Sequence, residues 1–273
     1  MMGKFNSMSR DFDGNVIVVT GGSTGLGRAI AVEVAKRGAK TVVINYSRNV
    51  AEAEETADLV RTQGAEPILV QADVSDDAAC RSIARTAEPY GRINALFNNA
   101  GVTKFAQDHA DMDAVSTEDF LRLYHVNVVG AYQMIRAART LLAAGEMPGA
   151  VVNTSSLAGV NGVGSSVPYA ASKGALNTMT ISLARALAPK IRVNAICPGF
   201  IDTPWYGRSL QKASLDKLRE NVVAMTPLKV ASTAADIAVS AVFFASPTSR
   251  HITGETLIVD AGLHLGRSPY QKQ

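Results

Sequence analysis

Seven apolar runs of strand length lie along this chain, most of them followed by a longer stretch with helical spacing. The runs are Val16–Val19, Thr41–Ile44, Pro67–Val70, Ile93–Phe97, Val151–Thr154, Arg192–Ile196 and Thr256–Val259. The helical stretches include Leu26–Arg37, Val50–Arg61, Asp76–Glu88, Thr117–His125, Val128–Ala144, Tyr169–Leu187 and a segment near Ala234–Ala245. The runs show no polar alternate face, so each strand is expected to be buried on both sides, as in a parallel sheet. Strand–helix alternation over the whole length predicts a doubly wound α/β fold with a seven-stranded parallel sheet and helices on both faces.

The chain has 273 residues with 47% hydrophobic and 19% charged side chains, an ordinary globular composition that excludes a disordered chain. No linker, repeat or low-complexity tract divides it, so residues 1–273 read as one domain. Within it, 1–13 is a flexible N-terminus, 14–203 the core and 200–230 a variable lid. The balance of 27 basic and 24 acidic residues lacks the basic stripe of a nucleic-acid binder. Cys80 and Cys197 are far apart and the four histidines are scattered, so no metal site is expected. Residues 1–13 are polar, unlike a signal peptide, and no run of 18 apolar residues exists. The expected setting is cytoplasmic, away from membranes.

In such a sheet the ligand sits beyond the carboxyl ends of the strands, near the point where strand order reverses. The residues just after each strand therefore carry the functional information. Thr20-Gly21-Gly22-Ser23-Thr24-Gly25-Leu26-Gly27 follows the first strand and opens a helix. Glycines allow a tight turn and close approach of a pyrophosphate, and the helix start supplies free N–H groups. The spacing is GxxxGxG, and TGGSTGLG resembles the cofactor loop of the short-chain dehydrogenases/reductases. The resemblance implies a single-domain Rossmann fold and an oxidoreductase that moves hydride between a nicotinamide dinucleotide and a ketone or secondary alcohol. It places Gly21, Ser23, Thr24, Gly25, Leu26 and Gly27 against the cofactor.

After the second strand, an NAD-preferring site usually carries a carboxylate. This chain has Asn45, Tyr46, Ser47 and Arg48 there. No carboxylate repels a 2′-phosphate, and a guanidinium is available to receive one, so NADP(H) is expected, with NAD(H) as the alternative. Thr24, where the family's NADP-binding members carry a basic residue, points the other way. By the resemblance, Asp73 and Val74 after strand three meet the adenine, and Asn98-Asn99-Ala100-Gly101 after strand four matches the family's NNAG turn. Pro198, Gly199, Ile201 and Thr203 match the segment that meets the nicotinamide, and Thr253-Gly254 with Asp260-Ala261-Gly262 matches the family's C-terminal end.

Tyr169 and Lys173 stand at i and i+4, on one helix face. A phenol with a reference pKa near 10 is a poor proton donor or base at neutral pH, and a nearby ammonium lowers that pKa. The pair is thus a tunable acid/base. The resemblance adds Ser156, thirteen residues before Tyr169, as the hydroxyl that binds the substrate carbonyl. Its neighbour Ser155 remains an alternative. The resemblance also adds Asn127 as the holder of a proton-relay water. A non-catalytic dinucleotide-binding protein on the same fold is the competing reading, and the presence of all four members of this group disfavours it.

Many relatives reduce 3-oxoacyl chains on an acidic carrier protein. The segment Leu141–Met147 contains no Lys or Arg, which favours a free small molecule, although Arg136 and Arg139 lie one turn earlier. Trp205, Tyr206, Leu210, Leu215, Leu218 and Met225 supply apolar surface for a lid. The Ala-rich helices around Val128–Ala144 and Tyr169–Leu187, by which relatives pair, imply a homotetramer.

Overall fold

The computed structural model describes residues 10–207 and 212–266. Nine strands run in chain order: β1 Val16–Val19, β2 Thr41–Tyr46, β3 Glu66–Gln71, β4 Ala95–Asn98, β5 Gly149–Thr154, β6 Ile191–Pro198, β7 Ile201–Asp202, β8 Ser232–Thr233 and β9 Thr256–Val259. The helices are α1 Gly25–Lys36, α2 Val50–Thr62, α3 Asp77–Arg85, α4 Thr117–Tyr124, α5 Ala131–Leu142, α6 Ala158–Asn161, α7 Val167–Leu187, α8 Pro204–Gly207, α9 Lys212–Met225 and α10 Ala234–Ala245.

Seven strands form one sheet in the order β3-β2-β1-β4-β5-β6-β9, and every pairing is parallel. The expected doubly wound Rossmann architecture is therefore present. Its cause is visible in β1. Ile17 and Val19 enter the core on one face, with Ile30, Val34, Ile237 and Phe244. Val16 and Val18 enter the core on the other, with Ile83, Met134 and Leu142. Period-2 alternation of two apolar sets leaves no polar face.

Two sequence expectations need correction and one pairing is new. The N-terminal stretch is not wholly outside the fold: Phe12 is fully buried in the first core, and its N–H donates to Arg37 O. Residues 1–9 of that stretch lie outside the described residues. Thr117–His125 and Val128–Ala144 are not two separate helices. A π-helical turn, His125–Gly130, joins α4 to α5 without a break. The two-residue pair β7–β8 was not anticipated; it fastens the two ends of the lid segment together.

Strand order reverses between β1 and β4, so the crevice of the sheet opens at their carboxyl ends.

Candidate active site

The loop after β1 is held from three directions. Thr20 Oγ1 accepts from the Asn99 and Ala100 N–H groups, both at 3.0 Å. Asn99 Nδ2 donates to Thr20 O and Gly21 O at 3.2 and 3.1 Å. The NNAG turn is thereby stitched to the glycine loop. From the far side, Arg28 donates to Ser23 O at 2.8 and 3.1 Å, and the Thr56 hydroxyl donates to the same oxygen at 2.8 Å. Sequence reading placed Thr20 in the loop motif without this tie and missed Arg28 and Thr56. The only signal was the position of Arg28 one turn into the helix that the loop opens.

Two glycines are required by contact. Gly21 has φ +60°, and a Cβ there would lie 2.9 Å from Ala100 Cα. At Gly27 a Cβ would lie 2.6 Å from Asn99 Nδ2. The start of α1 has no side-chain cap and no acidic residue in its first turn, whereas Asn49, Asp76, Ser116, Ser166 and Thr233 cap α2, α3, α4, α7 and α10. Close backbone approach and unclaimed helix-start amides fit a pyrophosphate.

Two adjoining clefts flank this loop. One, about 470 Å³, is lined by Gly21, Asp73, Val74, Ala100 and Gly101 among others. The other, about 770 Å³, includes Ser23, Thr24, Phe105 and Trp205. Ser47 and Arg48 line both. Tyr46 is buried and lines neither, and Leu26 points into the first core. Asn45 borders the first cleft, but its amide is committed. Oδ1 accepts from Gly21 N at 3.3 Å, and Nδ2 donates to Val70 O and Ala72 O at 3.2 and 2.9 Å. It ties the ends of β2 and β3 to the glycine loop. Asp73 Oδ1 accepts from the N–H and hydroxyl of Ser75.

The chemical group comes together at the ends of β4 and β5. Ser166 caps α7 by accepting from Tyr169 N, which starts the helix where Tyr169 and Lys173 share a face. Lys173 is 4% exposed and its Nζ donates to Thr154 O at 2.7 Å. That nitrogen stands 5.8 Å from the centroid of the Tyr169 ring. Burial pushes the Lys173 ammonium down to about 8. Asn127 sits in the π-helical turn, a local distortion common at functional sites. Its Oδ1 accepts from Val102 N at 2.8 Å, and its Nδ2 donates to Val102 O and Ser172 Oγ, both at 3.0 Å. A Cβ on Gly101 would lie 3.3 Å from Asn127 Oδ1 and 3.6 Å from Lys173 Nζ, so the three meet at one point.

The two serines after β5 differ. Ser155 is 3% exposed and donates to Lys173 O at 3.1 Å, which removes it from reach of a substrate. Ser156 is half-buried, and its Oγ accepts from Ala158 N at 3.1 Å, leaving the hydroxyl hydrogen for a partner. Pro198 O accepts from Leu157 N, and a Cβ on Gly199 would lie 2.7 Å from Asp260 Cβ. Asp260 in turn accepts from the Gly262 and His264 N–H groups. The C-terminal Asp260-Ala261-Gly262 motif thus buttresses the Pro198–Gly199 turn. Ile201 packs partly buried on the first core, and Thr203 lies beside Gly25, where a Cβ would be 3.5 Å from Thr203 Cβ.

Of the lid residues, Trp205 borders the second cleft, Leu215 and Leu218 are half-buried and Met225 is exposed. Leu210 and the side chain of Tyr206 lie outside the described residues. Among the described residues no three His, Cys, Asp or Glu side chains cluster as a metal site. No described helix is long and apolar enough to cross a membrane.

A parallel Rossmann sheet with this loop and this Tyr–Lys pair defines a class of nicotinamide-dependent oxidoreductases. Comparison with known proteins agrees. Residues 21–264 match the family profile described as enoyl-(acyl carrier protein) reductase. A candidate ketoacyl reductase of the granaticin polyketide synthase from Streptomyces violaceoruber is 39% identical over 251 residues, covering 92% of this chain and 96% of that protein. Glucose 1-dehydrogenase 2 of Bacillus subtilis is 33% identical over 260 residues, covering 94% and 98%. A crystal structure of a candidate short-chain dehydrogenase/reductase from Burkholderia xenovorans superposes with a TM-score of 0.84 at 39% identity, covering 95% of this chain and all of that one. The chain belongs to the short-chain dehydrogenase/reductase family and is an oxidoreductase.

Proposed function

We propose that this enzyme interconverts a ketone and a secondary alcohol on a free small molecule, with NADP(H) preferred over NAD(H), as a homotetramer. The observation that carries the reaction is the buried Lys173 ammonium beside the Tyr169 ring. When bound, the dinucleotide supplies or accepts the hydride. Ser156 donates its hydroxyl hydrogen to the substrate carbonyl oxygen. The Tyr169 phenol donates to the same oxygen and delivers the proton that the developing alkoxide requires. The Lys173 charge favours the phenolate left behind, which makes that proton easier to give. Asn127 anchors Ser172, whose hydroxyl donates to Tyr169 O at 2.7 Å, and so fixes the turn of α7 that presents the phenol. In the oxidative direction each proton movement reverses.

The NADP(H) preference is supported by Arg48 at the rim shared by both clefts and by the missing carboxylate after β2. A second reading, reduction of a 3-oxoacyl thioester, is favoured by the ketoacyl reductase relative at 39% identity. Tyr169→Phe tests the mechanism. It should keep dinucleotide binding and lose about a hundredfold or more in turnover; near-normal turnover would overturn it. Turnover of simple ketones against a 3-oxoacyl N-acetylcysteamine thioester decides between the substrates.

A further inference from the structure

The two clefts share five lining residues: Ser47, Arg48, Gly101, Val102 and Arg122. Gly101 and Val102 belong to the loop after β4. Ser47 and Arg48 come from the loop after β2. Arg122 comes from α4, a different element. On that helix Glu118, Leu121, Arg122 and His125 stand at i, i+3, i+4 and i+7, one face, and all four line the first cleft.

Arg48 and Arg122 are exposed, and among the described residues neither side chain makes an ion pair or hydrogen bond. The carboxylates around them are largely engaged. Asp73 accepts from Ser75. Glu118 is held by its own backbone N–H and then by the Ser116 hydroxyl, which keep its carboxyl below the usual range. Asp119 pairs with Lys104 at 3.2 Å. Glu52 lines only the second cleft. The nearest basic side chain on the α1 side, Arg28, is spent on Ser23 O, Glu52 O, Thr56 and Glu55. Asp73 and Glu118 keep their charge but pair with neither arginine, and two guanidinium groups without an ion pair bordering one cleft junction are complementary to a dianion placed between them.

The Asp73–Val74 end of the first cleft, where an adenine fits, and the Ser23–Thr24 part of the glycine loop in the second, where a pyrophosphate fits, meet at this junction. The group between these two is the adenosine ribose. We infer that Arg122 is a specificity-determining residue that closes on the 2′-phosphate of that ribose opposite Arg48. The inference rests on the NADP(H) reading above and deepens it. It also accounts for Thr24, the position that lacks the expected cation: α4 supplies the second positive charge from the other side.

Titration calorimetry of the full-length wild type, Arg48→Gln, Arg122→Gln and Arg122→Lys tests this, with NADPH, NADH, adenosine 2′-monophosphate and adenosine 5′-monophosphate as probes. Arg122→Gln should weaken NADPH and the 2′-monophosphate roughly tenfold or more, leave NADH and the 5′-monophosphate within about twofold, and be partly restored in Arg122→Lys. Equal weakening of NADPH and NADH would place Arg122 on a part common to both and overturn the inference. So would unchanged binding of all four probes. If the wild type binds NADPH no more tightly than NADH, the NADP(H) reading itself fails and takes the inference with it. If the wild type favours NADPH, Arg48→Gln abolishes that preference and Arg122→Gln does not, the inference alone fails.

Discussion

Lys173 is held where its charge is costly. It is buried, its ammonium donates to one backbone carbonyl, and its pKa is pushed down to about 8 from 10.5 by burial. Below pH 8 the folded and unfolded chains both carry the proton, and folding bears the full penalty. Between 8 and 10.5 the unfolded chain binds more protons, so this penalty shrinks as pH rises, and above 10.5 it is gone. Lys173→Met removes the titration. The unfolding free energy of the variant relative to wild type should therefore be most favourable below pH 8 and fall as pH approaches 10.5, as denaturant melts across that range would read; parallel curves would contradict it. Asn45 shows where residue-scale reading stops. A polar residue ending a buried strand looks like a ligand contact. Whether its amide faces the ligand depends on Val70, Ala72 and Gly21, all 24 or more residues away in sequence. An aspartate there loses the two donors to Val70 O and Ala72 O, so Asn45→Asp does not isolate cofactor preference.

Most strands of the sheet were legible because apolar side chains face both ways along them; β6 was read in spite of Arg192 and Asn194, buried polar residues that alternate with Val193 and Ala195. β7 and β8 were not, since two residues carry no period. The π-helical turn was not, because its extra residue shifts the phase of the helical face between α4 and α5; sequence reading broke the helix at the residue now seen to anchor Ser172. The lid is the element whose role the sequence described least. Arg219 in α9 grips Asp202 at 2.7 and 2.8 Å, two parallel bonds, and also reaches Asp216 at 2.8 Å. Asp202 directly precedes Thr203, so this clamp connects α9 to the strand that runs beside the glycine loop. The pair is partly exposed, and the effect of breaking it is modest. Arg219→Ala should raise the KM for substrate by roughly two- to fivefold while the Kd for dinucleotide stays within error. A change in Kd with no change in KM would mean that the clamp serves the cofactor instead.

At the scale of the molecule, exposed apolar side chains occur on the two helices and the last strand expected to pair and on the adjoining α4, besides others elsewhere on the surface. Phe120, Leu121, Tyr124 and Tyr132 lie along α4 and α5, Val167 and Ile181 on α7, and Leu257 on β9. Surface of this kind is costly in a monomer. Light scattering at micromolar concentration should return four times the chain mass; a monomer would refute the tetramer. The unclaimed amides at the start of α1 have one more consequence. The helices α2, α3, α4, α7 and α10 each carry their own lock at the start, while α1 leaves that end to a molecule the chain does not encode. Ordering of that first turn and binding of the dinucleotide are then coupled. The cellular concentration of free cofactor, through the logarithm of its ratio to Kd, becomes a term in the stability of the protein that uses it.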